Sequence, residues 1–143
     1  CMHAAGPIRR SQTTGSLVVW LGPHGPRALA TGTSAPCLSL FRPLGLGQAT
    51  SVLSPSPDAA PLWQQWEAVH RAALFDADYR QRLRVELAAA EVKIQAAMMQ
   101  ADCNLTEVDQ WAKASSRAIL DWPRQPLRSG FSPARRLWTQ PQG

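Results

Sequence analysis

The stretch from Asp76 to Asp102 contains neither glycine nor proline, and its apolar residues recur at spacings of three and four. Tyr79, Leu83, Leu87, Ala90, Ile94, Ala97 and Ala101 fall on one stripe, while the positions between are mostly charged or Gln. That period belongs to an amphipathic helix and to no strand. Such a helix must bury its stripe against something, so the chain has to supply or meet a partner layer. Arg80, Arg82, Arg84, Glu91 and Lys93 are expected to be mostly solvated. The stripe turns to Ala at its end, which lets a neighbouring helix approach closely there.

Helices on either side are the natural partners, because short connections favour antiparallel packing. One begins near Pro61, a residue tolerated at the first helical position. Leu62, Trp66, Val69 and Ala73 form its stripe, with Trp63, His70 and Leu74 beside it. Another follows the break at Cys103-Asn104, capped by Asn104 or Thr106, and runs to about Trp122 before Pro123. Its inward positions are Leu105, Val108, Trp111 or Ala112, Ser115 and Ile119.

Residues 1–43 read as β. Thr13 to Leu21 ends apolar and β-branched, and Gly22-Pro23-His24-Gly25-Pro26 is a breaker of the kind that closes a hairpin. Arg27 to Thr31 is the returning strand. Leu38 to Arg42 is a third, with Leu38 and Leu40 on one face and Ser39 and Phe41 on the other. Residues 44–60 are a linker loop rich in Gly, Ser and Pro, residues 61–122 the helical region, and residues 123–143 a basic, Pro-containing tail expected to be disordered. The fold class is therefore α+β, a few antiparallel strands followed by two or three helices.

Charge is divided along the chain. Residues 1–57 carry four Arg and no acid, residues 58–121 seven bases against ten acids, and residues 122–143 four Arg and no acid. The positive balance thus lies in loops and tail. A nucleic-acid reader usually carries it on a folded element, so no nucleic-acid partner is expected. No apolar run approaches the roughly 20 residues of a membrane span. Three Cys at wide spacings, with no CxxC pair, are not a disulfide framework and fit a reducing, cytoplasmic setting.

Five pieces in order carry a resemblance: Cys1-Met2-His3, then Thr13-Thr14-Gly15-Ser16 opening a strand, Thr31-Gly32-Thr33, Pro36, and Ser39-Leu40-Phe41-Arg42-Pro43. Pro61-Leu62-Trp63 opening a helix adds a sixth. Together they resemble the late β-region of secernin-like proteins, relatives of the dipeptidase-A cysteine hydrolases in the N-terminal-nucleophile superfamily. The match is good over residues 1–43, weakens to about 75, and is architectural beyond. The basic tail departs from the family pattern. The resemblance implies a partial αββα architecture, hydrolysis of amide bonds in dipeptides or other small amides, and no cofactor. It also implies that the N-terminal catalytic portion of the same protein is the chief partner, and that the chain alone is inactive.

Cys1 is the tempting nucleophile. A free α-amine with pKa of about 7.7–8.0 can take the proton of a thiol with pKa of about 8.5. The segment it resembles, however, lies late in the family's chain. Ala4-Ala5-Gly6-Pro7 follows at once, whereas an N-terminal nucleophile opens a rigid buried strand. We therefore read Cys1 as a strand-end core residue exposed by truncation. Cys1 and His3 share a face if extended, but no third group orients them. Cys1, His3, His24, Cys37, His70 and Cys103 lack the paired spacings of a zinc site, so no metal is expected.

Thr13, Thr14 and Ser16, with Cys1 and His3, are the candidate pocket-lining residues. Strand propensity and backbone hydrogen bonding explain the three hydroxyls equally well. Arg9-Arg10 reads as solvated loop charge, and His70 as a packed helix residue. Trp63, Trp66, Trp111 and Trp122 read as core or interface. Arg128, Arg135 and Arg136 with Phe131 and Trp138 interleave base and aromatic as a single-strand binder would, and read as a solvated tail. Three functions follow: the inactive C-terminal part of an amidohydrolase, a helical protein-interaction module, and a basic nucleic-acid-associated protein. The strands are expected to leave an unpaired edge and an uncovered apolar face.

Overall fold

The computed structural model describes residues 11–45 and 59–123. Over these residues the chain is α+β: a three-stranded antiparallel sheet and three helices. Strand β1 (Ser16–Gly22) turns through Pro23-His24 into β2 (Gly25–Thr31). The two strands pair along their whole length, from Ser16 opposite Thr31 to Gly22 opposite Gly25. Gly25, directly after the turn, takes a positive φ of 88°, a conformation glycine adopts without steric cost. Strand β3 (Arg42–Leu44) pairs with the far side of β2, so the sheet order is β1-β2-β3.

The third strand is shorter and later than its sequence suggests. Leu38 to Arg42 is not a strand; Pro36–Leu38 forms a 3-10 turn instead. Pro36 sits at its first turn, where a fixed φ and a missing N–H cost nothing. Ser39 then folds inward, its Oγ meeting the hydroxyls of Thr31 and Thr33 and the carbonyl of Pro36. A buried hydroxyl so occupied cannot alternate outward as a strand would require. Leu38, Ser39 and Leu40 are consequently all buried. Pro43 has no N–H to give to a ladder and is tolerated because β3 is an edge.

Helix α1 (Ala59–Phe75) begins two residues before Pro61, and α2 (Ala77–Met98) follows after one residue. Asp76 makes that abrupt junction possible. Its Oδ1 accepts from Tyr79 N at 2.8 Å as the α2 cap, while Arg80 donates 2.7 Å to the Ala73 carbonyl at the end of α1. Arg80 is therefore half-buried, not solvated as the helical spacing suggests. α2 ends four residues before Asp102, and Ala101 is exposed beyond it. Asn104, not Thr106, caps α3 (Leu105–Leu120), accepting from Thr106 N and Glu107 N.

One core joins helices and sheet. Leu83, Leu87, Ile94 and Met98 of α2 pack with Trp66, Val69 and Ala73 of α1, with Val108, Ala112 and Ile119 of α3, and with Leu29 of β2. The stripe of α2 is buried as its spacing predicts, with Ala90 and Ala97 half-buried at its margin. On α3 the inward serine is Ser116, one residue past the expected Ser115. Trp122 stacks edge-on against Tyr79 and lies under Arg82, and Trp111 lies under Lys93.

The sheet gives only one face to this core. Trp20 and Leu29 pack toward the helices. Alternation puts Leu17, Val19 and Leu21 on the opposite face, where all three are exposed, Leu21 by 87%. Opposite them in register stand Ala30, Ala28 and Pro26. Ala28 and Ala30 form with Leu44 a small cluster separate from the main core. Among the described residues β1 has no second neighbour, so the expected open edge is present, while the apolar face is uncovered only along β1.

At the other edge β3 is fastened to α3. Arg42 holds Asp109 through two nitrogens, Nε at 2.8 Å from Oδ1 and Nη2 at 2.9 Å from Oδ2, and Lys113 reaches Oδ2 at 2.8 Å. Burial raises the Asp109 carboxyl, but hydrogen bonds from Lys113 and Arg42 outweigh it and hold the group below its usual range. Fork-shaped pairing of this kind is geometry-specific. Asp109→Ala should cost about 2 kcal/mol in urea unfolding, because it leaves a half-buried guanidinium without its partner. Lys113→Ala, at an exposed position, should cost under about 0.5 kcal/mol.

Candidate functional site

Two polar features interrupt the apolar interior. The first lies where α1 meets the loop after β2. Glu67 and His70 stand one turn apart on α1, and Glu67 and Arg71 are four apart, so all three project toward one side. His70 Nδ1 lies 3.5 Å from Glu67 Oε2, and Arg71 Nε lies 2.8 Å from Glu67 Oε1. Ser34 of the loop is the third polar group near this carboxylate, its Oγ short of close hydrogen-bond geometry. Burial would raise the Glu67 carboxyl, but the polar groups of His70, Ser34 and Arg71 outweigh it and lower the pKa to about 2.

Serine, histidine and glutamate together invite comparison with a hydrolytic triad. The order is wrong for one. A triad places the base between nucleophile and acid, whereas here Glu67 is the group that both Ser34 and His70 neighbour. Ser34 and His70 are also 1% exposed, which leaves no approach for a substrate. This knot is structural: it pins the loop bearing Thr33 and Pro36 onto α1. The neighbouring hydroxyls of Thr31, Thr33 and Ser39 continue it toward the sheet.

The second feature is a cleft of about 200 Å³ between β1 and α2. Val18 and Trp20 of β1, Leu29 of β2 and Phe41 supply its apolar walls, and Glu91, Ile94 and Gln95 of α2 its remaining side. Glu91 is half-buried there, whereas its sequence context suggests a solvated position. It falls four residues after Leu87 and three before Ile94, which places it at the margin of the buried stripe. Burial raises its carboxyl above the usual range. Among the described residues no cation stands within ion-pair distance of it. Among the described residues the lining includes no Ser, Thr, Cys, His or Lys, and Glu91 is its one ionisable group.

The residues singled out from sequence are elsewhere. Cys1 and His3 lie outside the described residues, as do Arg9, Arg10 and the aromatic and basic positions of the tail. Thr13 and Thr14 precede β1, and Ser16 opens it opposite Thr31. None of the three lines the cleft. Cys37 lies on the surface, and Cys103 is half-buried with Sγ 3.9 Å from Met98 Sδ. Among the described residues no group of three or more His, Cys, Asp and Glu is placed to hold a metal ion. No helix among them is long and apolar enough to cross a membrane. Comparison with known proteins finds no matching family model, no matching curated protein and no matching solved structure.

Proposed function

We propose that this chain is the non-catalytic C-terminal part of an amidohydrolase acting on dipeptides or other small amides, and that its sheet is completed by the catalytic portion of the same protein. The observation that supports this most is the one-sided sheet. Helices cover one face, while Leu17, Val19 and Leu21 leave the other open on a strand with no charged residue. In an αββα sandwich a second sheet would cover the exposed side chains of β1 on that face, beside Ala28, Ala30 and Leu44, which are already buried. The resemblance of residues 1–43 to secernin-like proteins gives the activity class, and three widely spaced Cys with no CxxC pair suit a reducing, cytoplasmic setting. Small peptides are the substrates of the whole protein, bound by residues this part does not supply.

Purified chain should hydrolyse no dipeptide and no chromogenic amide, since nucleophile, base and oxyanion donors have to meet in one constellation. Hydrolysis that vanishes in Cys1→Ala would overturn this reading and make Cys1 a nucleophile in its own right.

A helical protein-interaction module has one observation of its own. Val85 and Val92 on the solvent side of α2, and Met99 at its C-cap, recur every seven residues, and all three are exposed. On that reading Val92→Lys abolishes partner capture, whereas Val19→Lys on the sheet leaves it intact.

A further inference from the structure

We propose that the cleft between β1 and α2 receives one Lys or Arg side chain from an extended peptide strand that pairs along the open edge of β1. This deepens the reading above and rests on it only for which polypeptide supplies the strand; the chemistry of the site stands on the cleft itself.

Three observations converge. The edge is unprotected: β1 reads Ser-Leu-Val-Val-Trp-Leu-Gly, without the Lys, Pro or bulge that usually blunts an exposed edge. Its outward N–H and C=O groups are a template for a further strand, about 4.8 Å away. Side chains of an added strand alternate, so every second one falls on the face of Val18 and Trp20, the face that overlies α2.

The second observation is charge. Glu91 is the acid of the cleft, and among the described residues nothing neutralises it. The walls around it are Val18, Trp20, Leu29 and Phe41. A mostly apolar cleft with one carboxylate in its lining fits a side chain with an aliphatic stem and a cationic head, which is the build of Lys and Arg. Gln95 adds a neutral hydrogen-bonding group beside the acid. Burial already raises the Glu91 carboxyl, and an arriving cation relieves that cost.

The third is size. About 200 Å³ falls short of the roughly 300–1,000 Å³ of small-molecule sites. It is the scale of one side chain, whose affinity then has to be supplemented by backbone pairing at the edge. A free amine gains nothing from that edge.

Fluorescence anisotropy on the intact chain tests this with end-blocked, labelled heptapeptides. One alternates Val and Lys, a second replaces each Lys by Glu, and a third repeats the first with alternate backbone amides N-methylated. The Val-Lys peptide should bind saturably, and the Val-Glu and N-methylated peptides at least tenfold more weakly. Glu91→Gln should cut Val-Lys binding about tenfold while leaving the melting temperature unchanged or higher, because it removes a desolvated charge. No saturable binding of the Val-Lys peptide, or equal binding by Glu91→Gln, overturns the proposal. Equal binding of the N-methylated peptide overturns the strand-pairing part. These outcomes are read without any hydrolysis assay, so loss of the proposed binding and loss of the amidohydrolase assignment remain distinct results.

Discussion

Leu87→Asp should unfold the helical unit, with loss of its cooperative transition in circular dichroism. Leu87 is 5% exposed in the centre of α2, among the residues that join all three helices to β2. Truncating a buried leucine alone costs roughly 2–5 kcal/mol. The carboxylate adds the penalty of a buried charge without a partner. Since domains of this kind have only about 5–15 kcal/mol in all, the two together remove most of the stability. Arg84→Asp, three residues away on an exposed position, should change it by less than about 0.5 kcal/mol. Equal tolerance of both would mean that the helical register is wrong.

Glu67→Ala should be the next most damaging change, in the range of about 3 kcal/mol. The carboxylate accepts from Arg71 Nε at 2.8 Å and lies 3.5 Å from His70 Nδ1, so its removal leaves Arg71 without its acceptor and the buried imidazole without the carboxylate beside it. The same group sets an acid limit. Its pKa falls from the ordinary 4.5 to about 2 in the fold. A depressed carboxyl contributes stability that is fully present above the unfolded value and is lost as pH falls through the folded one. Each unit is worth about 1.4 kcal/mol, so roughly 3 kcal/mol should disappear between pH 5 and pH 2. Urea unfolding across that range should show the loss in wild type and a much flatter profile in Glu67→Gln. An equally steep profile in the variant would assign the acid sensitivity to other carboxylates.

How much of this was legible in the sequence depends on how local each cause is. The stripe of α2 was legible because 3.6-residue periodicity is a property of neighbouring residues. The hairpin was legible because Gly22 to Pro26 can do little else than turn. The third strand was not, since Ser39 turns inward to meet Thr31 and Thr33, hydroxyls six and eight residues away that periodicity does not weigh. The Glu67 knot was half visible. Glu67, His70 and Arg71 have helical i, i+3 and i, i+4 spacing, but Ser34 comes from a distant loop that only tertiary packing brings near. Glu91 sits at the border of the α2 stripe, where a charge is ordinarily solvated; the placement of β1 beside it makes a cleft. The residues Thr13, Thr14 and Ser16 came from family resemblance, and the local structure shows them as a strand opening next to Thr31.

The proposed role depends on β1 being an edge awaiting a partner, and hydrogen–deuterium exchange measures that directly. In the purified chain the β1 amides that point away from β2 should exchange orders of magnitude faster than the amides of β2 between Arg27 and Thr31. Val19→Lys, on the open apolar face, should leave that pattern unchanged while suppressing aggregation. Protection of the outward β1 amides equal to that of β2 would contradict the proposal, because the edge would then already be covered.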